Sequence, residues 1–161
     1  MKGHQKLPDD HHVVRYVPFS RLDTDADGKV IGLLFSAFQR KDTENGLSVT
    51  WLEYFAGDHQ ARIVAAAQAI RASAMTVGKK SGFAVGGVGP IKAQCLDRGH
   101  KIRVIHSPED DNKAHAELRQ YPIDDRELLE RLATGVWSEL KLNVDIPDGK
   151  VPAPDELVSP V

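Results

Sequence analysis

Residues 101–119, KIRVIHSPEDDNKAHAELR, contain two short runs in which apolar and polar side chains alternate. Alternation with a period of two is typical of a β-strand that is buried on one face. The runs 101–106 and 115–119 are separated by a polar loop over residues 107–113. We therefore predict two paired strands joined by a loop, the basic unit of an antiparallel sheet.

Further strands are predicted on the N-terminal side of this pair. Runs rich in β-branched and aromatic residues indicate strands at residues 13–17, 47–55 and 83–85. The apolar run at residues 30–38 suits either a buried strand or a short helix, because its periodicity fits both. Asn45 and Gly46 form a strong hairpin-turn signal just before the strand at 47–55.

Three helices are predicted from their end signals and apolar stripes. Asp58 is the expected N-cap of a helix that runs to about residue 74, and Pro90 opens a short helix over about residues 90–98. Asp124 is the expected N-cap of a third helix, because Glu127 follows at the capping-box spacing. The apolar stripe of that helix extends to Leu140.

The predicted order, β-β-β-α-β-α-β-β-α, mixes hairpins with longer crossovers. Such an order favours an α+β (mixed α/β) fold, with a single central, partly antiparallel sheet and about three helices packed on it. The 161 residues are enough for one buried core. We expect a flexible N-terminus over residues 1–10, one globular domain over 11–143, and a proline-rich extended or disordered tail over 144–161.

The bulk composition argues against several classes of protein. The chain has 21 Lys and Arg against 23 Asp and Glu, and a net charge of −2 argues against non-specific binding of nucleic acid. The single cysteine, Cys95, excludes an intramolecular disulfide and favours a reducing compartment. The sequence shows no signal-peptide core and no apolar stretch long enough to span a membrane, so a cytoplasmic protein is expected.

The loop of the predicted hairpin carries the residues most suggestive of chemistry. His106 and His115 are expected at its two ends, with Asn112 between them and Ser107 beside His106. Two neighbouring imidazoles can divide the general-acid and general-base roles near neutral pH. We expect this division here, with Asn112 orienting a substrate and Ser107 contacting it. A purely structural role, in which each ring bonds a backbone carbonyl, stays open.

A glycine-rich segment is the first candidate for holding a phosphate group. Gly87 and Gly89 precede the helix that opens near Pro90, and Lys79 and Lys80 lie just upstream. Amides at a helix N-terminus can bind an anion. The spacing matches neither the dinucleotide-binding motif nor the P-loop, and close packing also requires glycine.

Arg15, on the first predicted strand, is the other candidate for binding substrate. Ser48, Thr50 and Glu53 lie on a separate strand. Arginine, hydroxyl and carboxylate groups from separate strands can together grip a dinucleotide such as NAD, although an amphipathic edge strand contains the same residue types.

Neither a metal ion nor a cofactor is predicted. Residues 23–28, DTDADG, match the start of a calcium-binding loop, but Leu34 stands where such a loop needs a bidentate glutamate. A plain acidic turn is therefore favoured. The histidines at 11–12 could bind a metal with His4 or His59, yet no spacing here fixes a coordination geometry.

Our leading hypothesis is a small cytoplasmic enzyme that acts on a phosphate-bearing substrate, such as a nucleotide or RNA, by histidine acid–base catalysis. The alternative is a non-catalytic interaction module, an adaptor or an inhibitor, whose histidines are structural and whose tail binds a protein partner. The enzyme requires a concave pocket that contains imidazole groups, whereas the module requires an exposed apolar patch. Enzymatic activity itself, the substrate, the strand order and the oligomeric state are left open by the sequence.

Overall fold

The fold is described by a computed structural model, which covers residues 5–41, 44 and 46–148. In this part of the chain the elements are, in order, β1 (His12–Val17), β2 (Leu22–Thr24), β3 (Val30–Leu33), β4 (Gly46–Trp51), α1 (His59–Ala72), β5 (Gly82–Gly87), α2 (Val88–Asp97), β6 (Arg103–His106), β7 (His115–Arg119), α3 (Arg126–Gly135) and β8 (Glu139–Leu142). The predicted α+β class is confirmed.

Six of these strands form one central sheet in the order β6-β7-β4-β1-β5-β8, and each neighbouring pair is antiparallel. Strands β2 and β3 form a separate two-stranded sheet. The acidic stretch 23–28 begins in β2 and continues into the turn, where the Asp25 carboxylate accepts hydrogen bonds from the Asp27 and Lys29 amides at 2.9 Å each. The acidic residues thus build a turn, with Gly28 at a φ of +83°.

Helices cover both faces of the central sheet. Alternate residues of β1 show this, because Val13 packs in a core with α2 and α3 while Val14 packs in a second core with α1. Helix α1 contributes small and β-branched residues such as Ile63, Ala66 and Ala67 to this second core. The result is a three-layer arrangement in which the sheet separates two apolar cores.

Helix α3 differs from its predicted bounds at both ends. Its N-cap is Asp125 rather than Asp124, and the Asp125 carboxylate accepts a hydrogen bond from the Leu128 amide at 3.2 Å. The helix ends at Gly135, and Leu140 belongs to strand β8. This strand was not predicted, because Leu140 also fits the helical spacing. Trp137 between them is fully buried and stacks on Phe38, with 4.8 Å between the ring centroids.

Other boundaries also move. The ambiguous run 30–38 divides into β3 and a 3-10 turn, Phe35–Phe38, and the predicted strand 47–55 ends at Trp51 and continues as a second 3-10 turn. Ordered contacts extend past both predicted limits of the domain, because Leu7 and Ile146 are buried in the cores. Asn45 of the predicted hairpin turn, like most of the tail, lies outside the described residues.

The sheet opens between β1 and β4, and this opening positions the site. The two strands pair at Val13–Trp51 and at Val14–Thr50. Beyond these pairs Arg15 donates from Nη1 to the Ser48 carbonyl at 2.7 Å and from Nε to the Ala37 carbonyl at 2.9 Å. If the β1–β4 pairing continued, a backbone amide of β1 would donate to this β4 carbonyl. The Arg15 guanidinium donates to it instead.

Candidate functional site

A cleft of about 540 Å³ lies on the α1 side of the sheet, between the C-terminal end of α1 and strands β1, β4 and β7. Its volume is in the range of small-molecule sites. The cleft is lined by Val14, Arg15, Tyr16, Pro18, Ser48, Val49, Thr50, Ile70, Ser73, Ala74, Met75, Glu109, Asp111, Asn112 and His115. We call it the His115 cleft. It contains His115, Asn112 and Arg15 of the predicted site.

The His115 ring is held in one orientation. Nδ1 donates to the Ser107 backbone carbonyl at 2.7 Å, and the residue is 7% exposed. A carbonyl can only accept, so in the neutral ring the proton lies on Nδ1 and Nε2 carries the lone pair. The Glu109 carboxylate lies 3.8 Å from Nε2. Nε2 is therefore the ring nitrogen with a free lone pair, and it lies near a carboxylate.

Asn112 connects the loop to the floor of the cleft. Its amide nitrogen donates to the Thr50 hydroxyl at 3.1 Å, and its side-chain oxygen accepts from the Ala114 amide at 3.1 Å. Thr50 is the register partner of His115 on the neighbouring strand, so both side chains are on the same face of the sheet. Hydroxyl, amide and imidazole groups are therefore brought together around one point.

His106 lies on the other face of the sheet, which is a correction to the predicted pair. It is the register partner of Ala116, the neighbour of His115, and successive residues of a strand face opposite sides. The His106 ring contacts the Trp51 and Tyr54 rings, with centroid distances of 5.0 and 5.6 Å, and its Nε2 donates to the Lys113 carbonyl at 2.8 Å. The two imidazoles are at one end of the hairpin but do not share a cavity.

The predicted phosphate cradle is filled by the chain itself. The Val88 and Gly89 amides donate to the His11 and Asp9 carbonyls at 2.9 Å each, and proline follows, which has no amide hydrogen. A Cβ on Gly89 would lie 3.0 Å from the Asp9 carbonyl oxygen, and one on Gly87 would lie 3.1 Å from the Pro90 ring. Close packing thus accounts for both glycines.

The remaining predicted contacts are dispersed. Neither Lys79 nor Lys80 lines the His115 cleft or three further pockets of the described residues. The Lys80 amine lies 5.8 Å from the centre of the Phe19 ring. Ser107 serves His115 through its backbone carbonyl. Glu53 bonds the His12 ring at 2.6 Å, away from the cleft.

His12 of β1 and His59 at the start of α1 lie side by side, a pair that the sequence only hinted at. His12 and His59 have ring centroids 5.3 Å apart, and each bonds a carboxylate, Glu53 at 2.6 Å and Glu139 at 2.7 Å respectively. Among the described residues no group of three or more His, Cys, Asp or Glu side chains could hold a metal ion. His4, named in the metal hypothesis, lies outside those residues.

Two residues of the His115 cleft could not be singled out from the sequence. Tyr16 accepts from the Gly78 amide at 2.9 Å through its hydroxyl, and Ser73 follows the last residue of α1. A third lining residue, Asp111, accepts a hydrogen bond from the Ala74 amide at 2.8 Å, and this bond connects the β6–β7 loop to the end of α1. The cleft walls therefore depend on tertiary contacts between segments far apart in sequence.

Comparison with known proteins gives no assignment. The chain matches no family model, no curated protein and no solved structure at a significant level. Within the described residues no helix has the length and apolar character required to cross a bilayer.

Proposed function

We propose that the protein is a small enzyme whose substrate occupies the His115 cleft, with His115 as the residue that transfers a proton. The observation that carries the proposal is the fixed imidazole, whose Nδ1 donates to the Ser107 carbonyl at 2.7 Å while Nε2 stays available. A general base needs a defined tautomer and a position within reach of its substrate. The neighbouring cleft supplies the space for that substrate.

Other groups of the cleft support binding and orientation. Asn112 and Thr50 are bonded to each other and are next to His115, so they can fix the position of a polar group on the substrate. Ser48, Ser73 and Tyr16 add hydroxyl groups to the lining. These are the residue types that small-molecule sites use to orient a ligand within mainly apolar walls.

The carboxylates that line the His115 cleft limit which part of a substrate can bind there. Glu109 and Asp111 lie at the loop side of the cleft. Carboxylates repel a phosphate group, so we propose that the cleft takes an uncharged or cationic polar moiety. The nucleotide expected from the sequence would place its nucleoside part here.

The proposal is tested by measuring binding and turnover of nucleosides, nucleotides and short RNA with wild-type protein, His115→Gln and His106→Gln. We expect His115→Gln to lower kcat/KM by about 10²- to 10⁴-fold, the usual range for a lost acid–base group. His106→Gln is the matched control, because its ring lies outside the cleft, and we expect a rate close to that of the wild type.

Two outcomes would oppose the proposal. If His115→Gln kept the wild-type rate on a turned-over substrate, His115 would not be the proton-transfer residue. If the wild-type protein bound no member of the panel in the cleft, the result would favour the non-catalytic interaction module instead.

A further inference from the structure

A second pocket, of about 410 Å³, lies beside the same opening in the sheet. It shares Arg15, Tyr16 and Pro18 with the His115 cleft and extends to the 3-10 turn that contains Ser36 and Ala37. Its other lining residues are Ser20, Arg21, Gln39, Arg40, Lys41 and Glu44. We call it the arginine pocket.

The three arginines of this pocket are bonded to backbone carbonyls. Arg15 bonds the Ser48 and Ala37 carbonyls, and Arg21 bonds the Ser36 carbonyl at 2.7 Å. Arg40 bonds the Tyr121 carbonyl at 2.7 Å through Nε and the Lys41 and Glu44 carbonyls through Nη1. None of the ion pairs found among the described residues includes any of the three. A guanidinium has five N–H donors, so each of these groups has donors beyond the bonds it makes.

The charge of the arginine pocket is unbalanced. Arg15, Arg21, Arg40 and Lys41 carry positive charge, and Glu44 is the one carboxylate in the described lining. Burial lowers the pKa of Arg15, the nearby Tyr121 and Glu44 raise it, and the Arg21 charge lowers it by a smaller amount, although a guanidinium remains charged at neutral pH. Arg15 is the charge that burial takes out of water here, and removing a charge from water is costly unless a group of opposite charge lies nearby.

We propose that the arginine pocket binds the phosphate group of a small phosphorylated molecule. Arginine presents a planar fork of donors that matches the oxygens of a phosphate, and two or three guanidinium groups around one pocket are a recurrent phosphate site. The Ser20 and Ser36 hydroxyls can add donors. The volume exceeds that of a phosphate ion, so a phosphomonoester with a sugar-sized substituent fits best.

Phosphate binding in the arginine pocket does not depend on proton transfer at His115. The two pockets have different lining residues, except for the three that they share at the opening. If both hold, the opening lets one ligand place its phosphate among the arginines and its uncharged part beside His115. That arrangement would reconcile the phosphate-bearing substrate predicted from the sequence with the carboxylates in the His115 cleft.

The experiment is titration of the full chain with inorganic phosphate and with ribose 5-phosphate by calorimetry, at constant ionic strength set with sodium chloride. Variants Arg21→Gln and Arg40→Gln are compared with Arg103→Gln, which removes the same charge from an exposed position on β6. We expect each pocket variant to bind about tenfold more weakly, since a charge-assisted hydrogen bond is lost. Arg103→Gln should bind as the wild type does.

Saturable binding that only the pocket variants weaken would support the site. Absence of binding by both ligands, or an equal loss in Arg103→Gln, would overturn it and would leave the arginines as links between backbone segments. If Arg40→Gln fails to fold, Arg21→Gln decides alone, because Arg21 is exposed. His115→Gln must keep the phosphate affinity, so failure of the proposed function and failure of this site give different results.

Discussion

At the level of single residues, two buried polar atoms stand out. The Tyr121 hydroxyl and the Trp137 indole nitrogen have no hydrogen-bond partner in the described part of the chain. Burial raises the pKa of Tyr121 far above its usual value, so the hydroxyl stays neutral. A buried donor without a partner loses its bonds to water and gains none in return.

Replacing Tyr121 by phenylalanine should therefore raise the free energy of unfolding by about 1 kcal/mol, because the desolvation cost of the hydroxyl is removed. The measurement is urea unfolding followed by tryptophan fluorescence. Tyr16→Phe is the matched control and should lower stability by up to about 1 kcal/mol, since the Gly78 amide loses its acceptor. Destabilisation of Tyr121→Phe as large as that of Tyr16→Phe would show that the Tyr121 hydroxyl has a partner.

The site residues also show what a sequence can and cannot predict. Alternation along residues 101–106 and 115–119 predicted the strand pair and placed both histidines at its loop end. It could not predict which faces they occupy, because shifting the register by one residue reverses every side chain. The observed pairing of His106 with Ala116 sets the faces and separates the two rings.

At the level of elements, the start of α3 is fixed by one carboxylate. Asp125 accepts from Arg98 at 2.8 and 3.1 Å, from His100 at 3.0 Å and from the Leu128 amide at 3.2 Å. The hydrogen bonds from Arg98 are the main reason that the pKa of Asp125 is held well below its usual range. The cap thus joins α3 to the segment that follows α2.

Asp125→Ala should lower the free energy of unfolding at pH 7 by about 1–2 kcal/mol, the usual cost of a lost N-cap. A carboxylate whose folded pKa is lowered stabilises the protein above its unfolded pKa of about 3.9, and this contribution is lost as the pH falls through the folded pKa. The difference between wild type and variant should therefore shrink as the pH is lowered from about 4. Thermal unfolding across this pH range measures it.

Asp124→Ala is the control for that experiment, because Asp124 is exposed and is one residue before the cap. We expect little change. Equal destabilisation by both variants would contradict the assignment of the cap to Asp125. The sequence predicted Asp124 because Glu127 follows it at the capping-box spacing, whereas the contacts of Asp125 with Arg98 and His100 are tertiary and leave no local signal.

Strand β8 shows a second limit of pattern reasoning. Val136 and Leu140 are four residues apart, a spacing that a helix would also produce. In the structure Leu140 pairs with Ala84 on β5, so the sheet gains its sixth strand from a segment that the pattern assigns to a helix. Long-range pairing therefore overrides the local pattern at this edge.

At the level of the whole molecule, an interruption in the sheet brings the two candidate sites together. The opening between β1 and β4 lies in the sheet, which has α1 on one face and α2 and α3 on the other. The His115 cleft and the arginine pocket share three lining residues at this opening. The sequence predicted the α+β class and named Arg15, Asn112 and His115. It could not predict the opening, which depends on Arg15 bonding the carbonyls of Ser48 and Ala37.

The most direct test of the central claim is an NMR measurement of the imidazole nitrogens of His115 in the full chain, with His115→Gln to assign the signals. We predict a proton on Nδ1 and an Nε2 signal that moves when a nucleoside or nucleotide is added, while the His106 signals stay in place. A His115 ring protonated on Nε2 alone, or an Nε2 signal that no member of the panel perturbs, would contradict the proposed role of His115.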